Sequence, residues 1–166
     1  LHSGIVVFIL CICTFVYGLV NGNSIKHVSY DIDIESKESL SGMKIVMISD
    51  LHLGAVNSEN RLKNIVSEIN SLSGDLVLIS GDIFDNDYYA IKNVDEVVNL
   101  LGSIKSKYGV YASLGNHDSG VTFDKMMDIL SRGNVKVLMD ESVVIDNKLA
   151  VLGRLDKTPI GGYGDG

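Results

Sequence analysis

The sequence predicts an α/β fold, because short apolar runs alternate with amphipathic stretches at helical spacing. Three of those runs end in clusters of aspartate, histidine and glycine, and an uncharged stretch at residues 4–20 precedes the whole pattern. These observations divide the chain into a membrane-type helix with a short tether, residues 1–24, and an α/β domain over residues 25–166.

Residues 4–20 are close to the shortest apolar length that spans a bilayer as a helix. The stretch shows neither the basic start nor the small-residue cleavage site of a leader. It is apolar all round, whereas a buried globular helix keeps a polar face. The sequence therefore favours a membrane span in contact with lipid, with Tyr17 near an interface. Cys11 and Cys13 lie two residues apart, on opposite sides of that helix, so they cannot bridge each other. The remainder is cysteine-free, which excludes a disulfide framework or a zinc-thiolate site there.

After a tether at residues 21–27, Val28 to Ile34 alternates apolar with polar, the pattern of a half-exposed edge or antiparallel strand. Ser36 to Ser41 reads as a turn. Lys44 to Ser49, Leu76 to Ser80 and Val110 to Leu114 are apolar and β-branched, as expected of parallel strands buried on both faces. Between and after them, Leu62, Ile65, Val66 and Ile69 recur at helical spacing, as do Val94, Val97, Val98 and Leu101, and Phe123, Met126, Met127 and Leu130. These stripes are sheet-packing faces. After Arg132, the runs Val135 to Leu138, Glu141 to Ile145 and Leu149 to Leu152 suggest a meander in a second sheet, with Asp146 and Asn147 as a hairpin turn.

The three polar clusters are Asp50-x-His52, Gly81-Asp82-x-x-Asp85 and Gly115-Asn116-His117-Asp118. In open α/β sheets ligands gather outside the carboxyl ends of the strands, so the clusters are delivered to one rim. On an extended backbone Asp50 and His52 point the same way and can grip one ion. Asp82 has two carboxylate oxygens and can bridge two ions, while Asn116 offers an amide oxygen to the second. Oxygen and imidazole donors without thiolates suit Mn, Fe or Zn. Two divalent ions roughly 3.5–4 Å apart clamp a phosphate and activate a water, which is phosphoester hydrolysis. Any one cluster alone is an ordinary turn or helix cap, and a single histidine is more often structural than a ligand. The conjunction of three at strand ends is what selects the metal site.

At these residues the chain resembles the calcineurin-like metallophosphoesterases, whose blocks run D-x-H, G-D-x-x-D and G-N-H-D/E. The match covers about residues 44–155, and the flanks from Met47 to Gly54 and from Leu149 to Arg154 are similar to the membrane-associated bacterial branch. The resemblance implies a four-layer α/β/β/α sandwich, two divalent metal ions and a phosphoester substrate. It implies that Asp50 and His52 hold the first metal, Asp82 bridges, and Asn116 holds the second. It places His117 at the substrate, as a transition-state donor or general acid, with Asp85 orienting its ring, and gives Asp118 a supporting or turn role. Exported relatives imply a cell-membrane protein with its catalytic domain outside the cytoplasm; the charge flanking residues 4–20, Lys26 alone, does not decide orientation.

The family pattern continues with three more histidines, whereas only His2, His27, His52 and His117 occur here. Leu1 at one end and the glycine-rich run to Gly166 at the other lead to the expectation of a fragment, with the sandwich and metal shell incomplete as written. The alternative is a non-catalytic metal or phosphate binder. A carboxylate-nucleophile phosphatase would place Asp-x-Asp after its first strand, and His52 takes the second position. A net charge of −7 and a pI near 4.9 exclude a broad nucleic-acid surface, which needs clustered Lys and Arg.

Overall fold

A computed structural model of the chain describes residues 2–22, 24–33, 42–54, 58–85 and 88–156. The chain divides into two compact units, residues 1–35 and 36–166.

In the first unit, α1 (His2–Gly22) is the long apolar helix. Ser3–Gly22 has a mean hydropathy of 2.5, and at 1.5 Å per residue its length of about 30 Å matches the hydrocarbon core of a bilayer. Its large side chains, including Phe8, Phe15 and Tyr17, are exposed within the unit, and so are Cys11 and Cys13. Residues 24–33 follow without helix or strand, with Val28, Tyr30 and Ile32 exposed. The strand expected over Val28 to Ile34 is therefore not formed in its described part: a strand needs a hydrogen-bonded neighbour, and no described strand pairs with it. Ile34 and the turn expected at Ser36 to Ser41 lie outside the described residues.

The second unit alternates strand and helix. Its elements are β1 (Ile45–Ile48), α2 (Ser58–Leu72), β2 (Leu76–Ser80), a 3₁₀ turn at Tyr88–Ala90, α3 (Val94–Gly102), β3 (Val110–Ser113), α4 (Phe123–Arg132), β4 (Val135–Val137), β5 (Glu141–Ile145) and β6 (Leu149–Gly153). The first four strands form a parallel sheet in the order β1-β2-β3-β4, and β5 and β6 form a separate antiparallel hairpin. Since each parallel connection passes through a helix with the usual right-handed sense, α2, α3 and α4 lie side by side on one face. There Leu62, Val66 and Ile69 of α2, Val97 and Leu101 of α3, and Met126, Ile129 and Leu130 of α4 meet Val46, Val77, Ile79, Val110, Ala112 and Val135.

Register explains which strand residues are covered. Val46, Val77, Val110 and Val135 form one row across the sheet under the helices, whereas the neighbouring row runs Met47, Leu78, Tyr111, Lys136. Met47 on this second row is 65% exposed and Ile45, on the same side of β1, is 46% exposed. The second face is thus open at β1, whereas on β2 Leu76 of that same face is fully buried. A monotonic strand order places every crossover helix on the same side.

The run Val135 to Leu138 also differs from expectation. It is β4, paired in parallel with β3, so it completes the first sheet instead of opening a meander. The reason is α4 before it, which makes a strand-helix-strand crossover. The hairpin β5-β6 does form as expected, and its turn residues Asp146 and Asn147 take left-handed angles, with φ of 52° and 55°.

Candidate metal centre

The carboxyl ends of β1, β2 and β3 carry the three clusters, and the sheet brings them together. The loop after β1 runs alongside the loop after β2 as a continuation of their pairing. Asp50, His52 and Leu53 donate their backbone N–H to the carbonyls of Gly81, Asp82 and Ile83 at 3.2, 3.0 and 2.8 Å, and Asp85 donates to Leu53 at 2.9 Å. Gly81 in turn donates to Ser113 at the end of β3.

These loops leave the extended conformation as they enter the site. Asp50, His52 and Asp82 have φ of 56°, 45° and 51°, left-handed angles that cost an L-residue on the order of 1–2 kcal/mol. The expectation that Asp50 and His52 converge through strand alternation is therefore corrected: they do converge, with His52 Nε2 3.9 Å from Asp50 Oδ1, but through a tight left-handed turn. Two side chains of α2 hold this turn. The Arg61 guanidinium donates to the carbonyl of Leu51, between the two ligand-type residues, and the Ser58 hydroxyl accepts from the N–H of Gly54 at 3.2 Å.

Glycine at position 115 is required by packing. A Cβ there would lie 2.2 Å from Asp82 Oδ1 and 2.6 Å from Asp82 N, so the third loop presses its backbone against the second. The same Asp82 Oδ1 accepts from the backbone N–H of His117 at 3.2 Å. Asn116 is exposed between them, and its backbone carbonyl accepts from Ser119 Oγ at 3.0 Å.

Two donor groups result among the described residues. Asp50, His52 and Asp82 each place a ligand atom within 4.8 Å of the others, and so do His52, Asp85 and His117. Asp85 Oδ1 is 3.5 Å from His52 Nδ1 and 3.8 Å from His117 Nδ1, and the two imidazoles meet edge to face with centroids 5.1 Å apart. Carboxylate and imidazole donors on three braced loops fit a divalent cation, and the cramped approach at Gly115 serves to seat Asp82.

Asp118 is the residue whose importance the sequence understated. It is fully buried, its Oδ1 accepting from Phe84 N at 2.7 Å and its Oδ2 from Gly115 N at 2.8 Å. Burial pushes its carboxyl above the usual carboxylate range, with the Asp82 charge adding to the effect, against the pull of N–H bonds from Gly115, Phe84 and Ile83. An acid three residues after a turn glycine is a local signal for such a tie. Arg61 carries no comparable signal, because its partner lies ten residues earlier on another element.

Comparison with known proteins agrees with this geometry. The model of the calcineurin-like phosphoesterase family matches residues 43–165. A transmembrane protein with a metallophosphoesterase domain from Danio rerio is 40% identical over 105 residues, 62% of this chain and 23% of that protein. An uncharacterized metallophosphoesterase of Campylobacter jejuni is 32% identical over 113 residues, 68% of this chain and 29% of the relative. The UDP-2,3-diacylglucosamine pyrophosphatase LpxG of Chlamydia muridarum is 37% identical over 79 residues, 48% of this chain and 23% of that enzyme. The chain spans less than a third of the length of each of these three relatives.

Proposed function

The chain belongs to the calcineurin-like phosphoesterase family, and on that premise we propose that its domain of residues 25–166 is part of a hydrolase that cleaves phosphoesters at a pair of divalent metal ions. The observation that carries this reading is the convergence of Asp50, His52 and Asp82 donors within 4.8 Å at two adjoining strand ends.

In this reading Asp50 and His52 would hold one ion, Asn116 would hold the second and Asp82 would serve both, the ions being manganese, iron or zinc. Such a pair supplies Lewis acidity toward water and a phosphoryl oxygen. His117 donates a proton or hydrogen bond to the departing oxygen. Asp85, whose Oδ1 lies 3.8 Å from His117 Nδ1, orients the ring toward substrate. Asp118 supports the site without touching substrate, since its two oxygens are spent on Phe84 and Gly115.

The exposed apolar side chains of Ile45 and Met47 on β1 support a four-layer sandwich, in which a second sheet covers this face of the first. The helix α1 and the transmembrane relative point to membrane association. Within the proposal, residues 1–24 anchor the protein in lipid and the catalytic domain faces away from the cytoplasm. The substrate class is a phosphoester; long nucleic acid does not fit the net charge of −7.

Hydrolysis of p-nitrophenyl phosphate and of bis-p-nitrophenyl phosphate by the manganese-loaded protein tests this function. Turnover that disappears in Asp82→Asn supports it. Manganese binding without turnover of any phosphoester would replace it with the binder reading.

A further inference from the structure

His52 belongs to both donor groups, and it serves them with different ring nitrogens. Nε2 faces Asp50 and Nδ1 faces Asp85. The group around Asp50 and Asp82 is rich in oxygen, whereas His52, Asp85 and His117 offer two imidazoles and one carboxylate. Borderline-soft zinc prefers the nitrogen-rich set, and manganese prefers oxygen. We infer that His52 Nδ1, Asp85 and His117 Nδ1 form a zinc site that competes with the site proposed for hydrolysis and shuts it off when filled.

Two of the three donor separations are close to what zinc requires. Bonds of about 2.0–2.1 Å in a tetrahedron separate neighbouring donors by about 3.3–3.4 Å. Asp85 Oδ1 already lies 3.5 Å from one imidazole nitrogen and 3.8 Å from the other. The rings stand 82° apart, so they meet the carboxylate from different planes and do not stack. Each donor comes from a different strand end, and the backbone bonds between the loops fix their spacing. The side chains of His52, His117 and Asp85 are 29%, 34% and 43% exposed, which admits an ion and leaves a coordination position open to water.

Competition follows from the imidazole itself. A neutral ring has one nitrogen lone pair in its plane to give a metal, the other nitrogen carrying the proton. Zinc on His52 Nδ1 therefore removes His52 from the ion it would share with Asp50 and Asp82. It also takes Asp85 and the Nδ1 side of His117 out of the pair proposed to protonate the leaving group. The inhibitory consequence rests on the proposed hydrolase function; the zinc site itself does not.

The test is calorimetric zinc titration of the purified chain and of Asp82→Asn, which keeps an Oδ1 acceptor for the His117 N–H. Asp82→Asn is expected to retain one zinc per chain with affinity within about threefold of its wild-type value while losing manganese affinity. Adding His117→Ala, or separately Asp85→Ala, is expected to weaken that zinc at least tenfold, and circular dichroism on each variant verifies folding. Asp50→Ala serves in place of Asp82→Asn if the latter fails to fold. Loss of zinc in the folded Asp82 or Asp50 variant, or unchanged zinc affinity after His117→Ala, would overturn the site. In the activity arm, zinc is expected to inhibit the manganese-loaded protein and excess manganese to relieve it. Zinc that binds at His117 yet leaves turnover intact would overturn the shut-off. Absence of turnover before zinc is added would count against the hydrolase reading alone, with the titration still deciding the site.

Discussion

The carboxylate of Asp118 accepts a 2.7 Å hydrogen bond from the backbone N–H of Phe84, tying the loop that carries His117 to the loop that carries Asp82 and Asp85. Its other oxygen closes the turn on Gly115. One buried side chain thus sets the distance between two of the three strand-end loops.

Asp118→Asn should show how much that tie contributes. An amide retains one acceptor and presents NH₂ to a second N–H, leaving a buried donor unsatisfied at a cost of about 1–3 kcal/mol. The expected outcome is a lower urea midpoint and weaker manganese binding. A variant matching wild type in both would show that the tie is dispensable.

Gly115→Ala inserts a methyl group where Asp82 already sits, 2.2 Å from its Oδ1. Relieving the clash moves either loop, so manganese affinity should fall at least tenfold and stability by about 1–3 kcal/mol. Calorimetry and urea denaturation read the two effects separately.

His117→Gln should leave manganese binding intact and lower turnover by about 10²–10⁴-fold, the usual contribution of a general acid. Single-turnover rates beside a metal titration check this. Loss of manganese along with activity would place His117 among the ligands.

Glu59 predicts a pH response of the scaffold. Partial burial opposes its charge, but N–H bonds from its own backbone, Lys92 and Asn93 and the Ser58 hydroxyl outweigh it and hold the carboxyl below the usual range. A group with a depressed folded value stabilises the fold above its unfolded value, and that stabilisation is lost as pH falls through the folded one. Acid should therefore loosen the contact between α2 and the start of α3. Glu59→Gln should flatten that part of the stability profile, followed by denaturation between pH 6 and pH 3, about the range where carboxylates titrate.

Ile12→Arg tests the anchor. A charge near the centre of a spanning helix costs about 2.5–3.5 kcal/mol on insertion scales. The wild-type chain is expected to resist alkaline extraction from membranes, and the variant to shift toward the soluble fraction.

The sequence by itself determined the order of strands and α-helices in the second unit, the helix faces and the positions of the three strand-end loops. Each of these is local: Leu62, Val66 and Ile69 repeat at helical spacing, and Asp50, Asp82 and His117 follow apolar runs. Tertiary structure alone decided how the loops present those residues. The left-handed turn at Asp50 and His52 persists because Arg61 and the neighbouring strand-end loop hold it, and nothing within Asp-x-His demands it. The assignment of Val135–Val137 to the parallel sheet, the open row at Met47 and the failure of the Val28 pattern to form a strand likewise depend on which partners lie alongside. Spacing along a chain encodes faces and turns; a backbone angle held at energetic cost, or a carboxylate poised between two imidazoles, exists only where distant segments meet to fix it.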